Sequence, residues 1–125
     1  MSRVAERISD GEAVVMQVLW DEAPLTAQDV AARVPADRDW SERTVKTMLS
    51  RLVAKNVLAF EEDGRRYLYR PAVSRQDYVG TESRRLVERL FGGRAAPLVA
   101  HLAESGELTD RDITEIEALL KELRK

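Results

Sequence analysis

The stretch Trp40-Ser41-Glu42-Arg43-Thr44-Val45-Lys46-Thr47-Met48-Leu49-Ser50-Arg51-Leu52-Val53-Ala54-Lys55 constrains this chain more than any other. Ser41 is a helix cap, because its hydroxyl can accept from the free amides of a first turn. Val45, Met48, Leu49 and Leu52 then recur at i, i+3, i+4 and i+7, the spacing of one buried helical face. At 100° per residue the opposite arc holds Arg43, Lys46, Thr47, Ser50 and Arg51, with Ala54 at its middle and Thr44 at its edge. A solvated surface helix would mix acids into that face, and Glu42 in the first turn is the only acid here. The arc instead carries side chains that bind phosphates and base edges. It reads as a helix shaped to enter a groove.

The whole-chain charge gives no hint of this, being −2 at pH 7 over 125 residues. The local balance does. Residues 1–42 carry four basic against nine acidic side chains, whereas Arg43 to Arg70 carries seven against three. The sign reverses where the groove helix begins. The absence of cysteine excludes disulfides, thiolate metal sites and a Cys nucleophile. With His101 as the only histidine, no metal site and no cofactor are expected, and no catalytic triad can be assembled, so the chain does not read as an enzyme. His101 itself reads as a helix-surface or rim residue. No apolar run approaches the ~18–20 residues that span a bilayer, and no signal-peptide core follows the N-terminus. Membrane insertion is not expected, and the expected location is cytoplasmic.

Ser9-Asp10-Gly11-Glu12 has capping-box spacing and opens a helix whose inner face is expected from Val14, Val15, Val18 and Leu19, with Trp20 as a core anchor. Thr26 to Asp29 opens a second, with Val30, Ala31 and Val34 inward until Pro35 stops it. Two helices and then the basic third make a helix-turn-helix unit. Asn56 suits the left-handed residue after the third helix. Asp63-Gly64 between alternating runs then signals a hairpin. Counting outward from that turn places Glu62 opposite Arg65, Glu61 opposite Arg66, Phe60 opposite Tyr67 and Leu58 opposite Tyr69. Arg65 and Arg66 read either as phosphate contacts at the tip or as cross-strand partners of Glu62 and Glu61. A hairpin after a third helix is a wing.

Beyond Pro71, Ser74 caps a helix to about Phe91, Gly92-Gly93 breaks it, Pro97 opens another that ends at Gly106, and Thr109 caps a last one. Their apolar stripes hold Leu86 and Leu90, then Leu102, then Ile113, Ile116, Leu119, Leu120 and Leu123. Such helices, with little else to fold upon, suit a homodimer contact; packing back onto their own winged helix is the other possibility. The chain is therefore expected to be mainly α with a small β-hairpin wing. A winged helix-turn-helix DNA-binding domain is expected over residues 1–73 and a helical dimerisation domain over residues 74–125.

The run Trp40-Ser41-x-x-Thr44-Val45-Lys46-Thr47-x-Leu49-x-Arg51-Leu52 resembles the recognition-helix signature of the penicillinase repressors, the BlaI/MecI/CopY family. Ala13 to Trp20, Tyr67-Leu68-Tyr69-Arg70-Pro71, and Gly92-Gly93 followed by Leu98-Val99 extend the likeness over nearly the whole chain. The resemblance implies a dimeric winged-helix repressor on a palindromic double-stranded DNA operator, often before β-lactam resistance genes. It also implies that Thr44, Lys46, Thr47 and Arg51 stand at the family's DNA-reading positions. The family's copper-responsive branch ends in a Cys-x-Cys tail, which this chain lacks. Its β-lactam branch is relieved when a sensor protease cuts an Asn-Phe bond, matched here by His101-Leu102. From another class, the rival is a winged-helix protein-interaction module whose basic face docks an acidic partner without binding an operator.

Overall fold

The computed structural model describes residues 7–125. Among these, α1 (Asp10–Asp21), α2 (Ala27–Arg33) and α3 (Glu42–Ala54) precede a hairpin of β1 (Leu58–Asp63) and β2 (Arg66–Pro71). Then follow α4 (Arg75–Phe91), α5 (Ala95–Glu104) and α6 (Asp110–Leu123). The fold is mainly α with a two-stranded wing, as the sequence predicts. The helix starts follow from their caps. Ser9 Oγ accepts from the Glu12 amide at 3.1 Å while Glu12 Oε1 accepts from the Ser9 amide at 2.8 Å. Thr26 and Asp29 exchange the same pair of bonds, as do Thr109 and Asp112. Asn56, at φ 63°, supplies the left-handed residue after α3.

The core lies in the first of two compact units, which runs to Glu82. Val15, Met16 and Leu19 of α1 meet Val30 of α2 and Val45, Leu49 and Leu52 of α3, with Val57, Leu58 and Tyr69 closing the cluster from the wing. On α1 the buried face is rotated from the expected one: Met16 and Glu12 go inside, and Val14 and Val18 are only half-buried. A link absent from the sequence reading ties the wing down. Leu25 pairs with Tyr69 through two backbone bonds of 3.1 and 2.8 Å, a single-residue third strand.

The hairpin register corrects the expected one. Asp63 faces Arg66, Glu62 faces Tyr67, Glu61 faces Leu68, Phe60 faces Tyr69 and Leu58 faces Pro71. The turn residues are Gly64 and Arg65, not Asp63 and Gly64. Gly64 takes φ 67° while Asp63 and Arg65 stay out of the left-handed region. That is the pattern of a turn with glycine first of the two central residues, which moves the turn one residue along. The slip changes partners without changing faces, so the Phe60 ring still meets Tyr67 edge-on at 4.9 Å.

The second compact unit, Ser83–Lys125, holds the rest of α4 with α5 and α6. Gly92 and Gly93, at φ 58° and 88°, stop α4, and Gly106, at φ 78°, follows α5. None of these three helices contains a buried residue. Leu119 and Leu123 are 65% and 81% exposed, although α6 is strongly amphipathic.

Among the described residues Glu12 is the one carboxylate in the core, 2% exposed. Lys55 Nζ sits 2.6 Å from its Oε1, so the ion pair joins the first turn of α1 to the residue that ends α3. Burial pushes the Glu12 carboxyl up, but the hydrogen bonds from Lys55 and Ser9 and the lysine charge outweigh it, leaving the group below its ordinary 4.5. A carboxyl depressed on folding adds stability above its unfolded pKa and loses it as pH falls through the lower folded one. Glu12→Gln should therefore cost about 1–3 kcal/mol at neutral pH. The gap from wild type should close as pH drops below 4.5. Urea titrations at several pH values measure it; a gap unchanged between neutral and acid pH would contradict the assignment.

Candidate nucleic-acid interface

Burial of Val45, Leu49 and Leu52 fixes the rotation of α3 and hence what it shows to solvent. Arg43, Lys46, Thr47, Ser50 and Arg51 are all exposed, and Thr44 is half-buried at the edge of the arc. The N-terminus of α3 is set by Ser41, whose Oγ accepts from the Thr44 amide at 3.1 Å and lies 3.1 Å from Thr44 Oγ1. Thr47 Oγ1 donates to the Arg43 carbonyl at 3.1 Å, leaving its oxygen lone pairs available as acceptors. Lys46 is not wholly free: its Nζ lies 3.6 Å from Glu42 Oε1. The i, i+4 order of Glu before Lys was legible in the sequence as that pair. Arg43 and Arg51 form no ion pair among the described residues.

The wing brings a second set of cations to the same side. Lys46, Ser50 and Glu42 of α3, Gln28 of α2, and Arg65 and Arg66 of the wing line one cleft of about 450 Å³. The expected pairing of Arg65 and Arg66 with Glu62 and Glu61 does not occur, because the turn sits one residue further on. Arg66 instead binds Asp63, its cross-strand neighbour, with Nη2 at 2.9 Å and Nε at 3.1 Å from Oδ2. Glu61 is taken by Arg70 at 3.6 Å. Arg65, unlike Arg66 and Arg70, forms no ion pair among the described residues.

Two further contributors escaped the sequence reading. Gln28, exposed in the first turn of α2, lines the cleft although α2 was read only for its apolar face. Arg38 lies over the Trp40 ring, 5.5 Å from its centroid, just before α3. Gly11 lies beside Trp40 and Met48: a Cβ there would touch the Trp40 ring at an ordinary 3.6 Å and crowd only the Met48 methyl, at 3.2 Å. No motif in one sequence links Gly11 to Trp40.

Leu86, Leu102 and Ile116 are half-buried, and Leu90, Ile113, Leu119, Leu120 and Leu123 are exposed. His101 and Leu102 lie in the last turns of α5, where the Ser105 amide donates to the His101 carbonyl at 3.1 Å. Among the described residues no group of three His, Asp or Glu side chains could hold a metal ion, and no helix is long and apolar enough to cross a membrane.

Residues 8–122 match the family model described as penicillinase repressor. The chain is 30% identical over 116 residues to the penicillinase repressor of Bacillus licheniformis, covering 93% of this chain and 91% of that one. Among solved structures it is similar to the DNA-binding domain of the repressor BlaI, at 33% identity and TM-score 0.53, over 62% of this chain and 94% of that one. It is also similar to monomeric Bacillus licheniformis BlaI in complex with the blaP half-operator, at 33% identity and TM-score 0.51, over 60% and 92%.

Proposed function

The chain belongs to the penicillinase repressor family and is a DNA-binding transcriptional repressor; on that premise we propose that it holds a palindromic operator as a homodimer, with α3 in the major groove. The observation that carries this reading is the acid-poor exposed arc of α3, with Arg65 and Arg66 of the wing on the cleft that Lys46 lines. Lys46 and Arg51 are assigned base-edge or phosphate contacts, with Arg43, Thr44, Thr47 and Ser50 in support and Arg65 and Arg66 on the backbone. The functional division is residues 1–73 for DNA and 74–125 for the dimer. The interaction-module alternative is not favoured, because the similar BlaI structure was solved on its half-operator. We assign no enzymatic step and no cofactor, and the expected place of action is the cytoplasm.

The unpartnered apolar residues of α5 and α6 support the dimer, since exposed leucines at this density gain by burial against a second copy. One winged helix makes a small, largely electrostatic contact, and joining two makes the second contact intramolecular, worth about 10²–10⁴ in affinity. Occupancy of a β-lactam-resistance operator would then be relieved by a sensor protease cutting at His101-Leu102. Because that bond is helical, the end of α5 must open first, a local unfolding that costs less than unfolding the core.

Lys46→Ala and Arg51→Ala should each weaken specific binding by about 1–3 kcal/mol, with selectivity relaxed at one base position for a base-edge contact. Mobility shifts on DNA upstream of the chain's own gene measure this, and wild-type binding by both variants would refute the groove assignment. In the wing, Arg65→Ala should lower the log K against log salt slope by about one unit. Arg66→Ala should lower it less, because Arg66 must leave Asp63 to reach phosphate; equal effects would contradict the pairing. Truncation after Ala100 should leave a folded monomer that binds operator about 10²–10⁴ more weakly. Sedimentation and operator titration read it, and a fragment that stays dimeric would place the interface elsewhere.

A further inference from the structure

The root of α4 is fastened to α1 by contacts that the DNA-facing surface does not use. Arg75 Nη2 donates to Asp21 Oδ1 at 2.6 Å and to Gln17 Oε1 at 3.0 Å. Its guanidinium also lies over the Trp20 ring, 5.7 Å from the centroid. The Trp20 indole N–H donates to the Val73 carbonyl at 3.0 Å, fixing the link that enters the helix. One turn on, Tyr78 packs its ring against Trp20 at 5.8 Å, and its hydroxyl accepts from the Ile8 amide at 3.1 Å. A turn further, Glu82 reaches Arg7 at 3.7 Å. Arg75, Tyr78 and Glu82 stand at i, i+3 and i+7, so one face of these two turns is held to the winged helix along its length. Exposed ion pairs alone are worth little. Here the aromatic pair and two hydrogen bonds to backbone groups give the joint a defined direction.

We propose that the clamp of Trp20, Arg75 and Tyr78 is a positioning device for operator spacing: it fixes the direction in which α4 leaves the winged helix, and so which half-site separation a dimer can span. The proposal rests on the homodimer reading above. The gain from linking two contacts vanishes when geometry forbids both at once. One added base pair shifts a half-site by about 3.4 Å and turns it by roughly 34–36° around the duplex. A free pivot at the root of α4 would absorb such a change; a clamped root would not. None of the three residues lies on the basic face of α3, so their loss should spare the half-site contact.

The test uses the full chain and a palindromic duplex that it selects from a random-sequence pool, together with versions whose spacer is changed by one or two base pairs, and an isolated half-site. Wild type should prefer the selected spacing by about tenfold or more, and Arg75→Ala and Trp20→Phe should reduce the preference to about threefold or less. Half-site affinity and dimer sedimentation should stay unchanged, and Arg75→Lys, which keeps the cation facing Asp21, should restore the preference. Variants that keep the wild-type preference would overturn the proposal, as would variants that lose half-site affinity by the same factor. A wild-type dimer indifferent to spacing would overturn the clamp alone. A palindrome bound no more tightly than the half-site would overturn the dimer reading as well.

Discussion

The burial of Val45, Leu49 and Leu52 is the constraint on which the structure depends. These side chains have no exposure, and a helix has one rotation that hides them together. That rotation turns Arg43, Lys46, Thr47, Ser50 and Arg51 to solvent as one surface. Core packing thus sets the angle at which the cations are presented. Truncating Leu49 or Leu52 to alanine would cost on the order of 2–5 kcal/mol and loosen that angle at the same time. Stability and the display of the basic arc share one helix.

The remaining contacts hold this helix from several sides. Ser41 caps its start, the Glu12–Lys55 pair ties its end to α1, and Trp40 packs beside Gly11 just before its first turn. The Leu25–Tyr69 bridge keeps the wing against the same core, which places Arg65 on the cleft that Lys46 lines. A chain of net charge −2 can offer a cationic face because its acids lie elsewhere or are matched. Glu12 is buried against Lys55, Asp63 holds Arg66, and Asp29 caps α2.

Much of this was legible in the sequence because it obeys local rules. Capping boxes span three residues, helical faces repeat every three or four, and a left-handed Asn56 follows from the end of its own helix. The misreadings arose where two local rules compete or where contacts are distant. Asp63-Gly64 fits one two-residue turn and Gly64-Arg65 another, and the chain takes the second, with Gly64 at φ 67°. Glu12 was legible as a cap, but its burial depends on Lys55, 43 residues away. Gln28 in the cleft and the Trp20–Arg75 contact likewise join parts of the chain that no periodicity relates. The apolar stripes of α5 and α6 were plain in the sequence, and on α6 Leu119, Leu120 and Leu123 stay exposed.

The central claim is that two copies of α3 read DNA in successive major grooves. Methylation interference on the DNA upstream of the chain's own gene tests it most directly, because guanine N7 lies in the major groove. The prediction is two symmetric interference segments on one face of the duplex, with centres one helical turn, about 34–36 Å, or a multiple of it apart. A single segment, or binding indifferent to guanine methylation throughout, would contradict it.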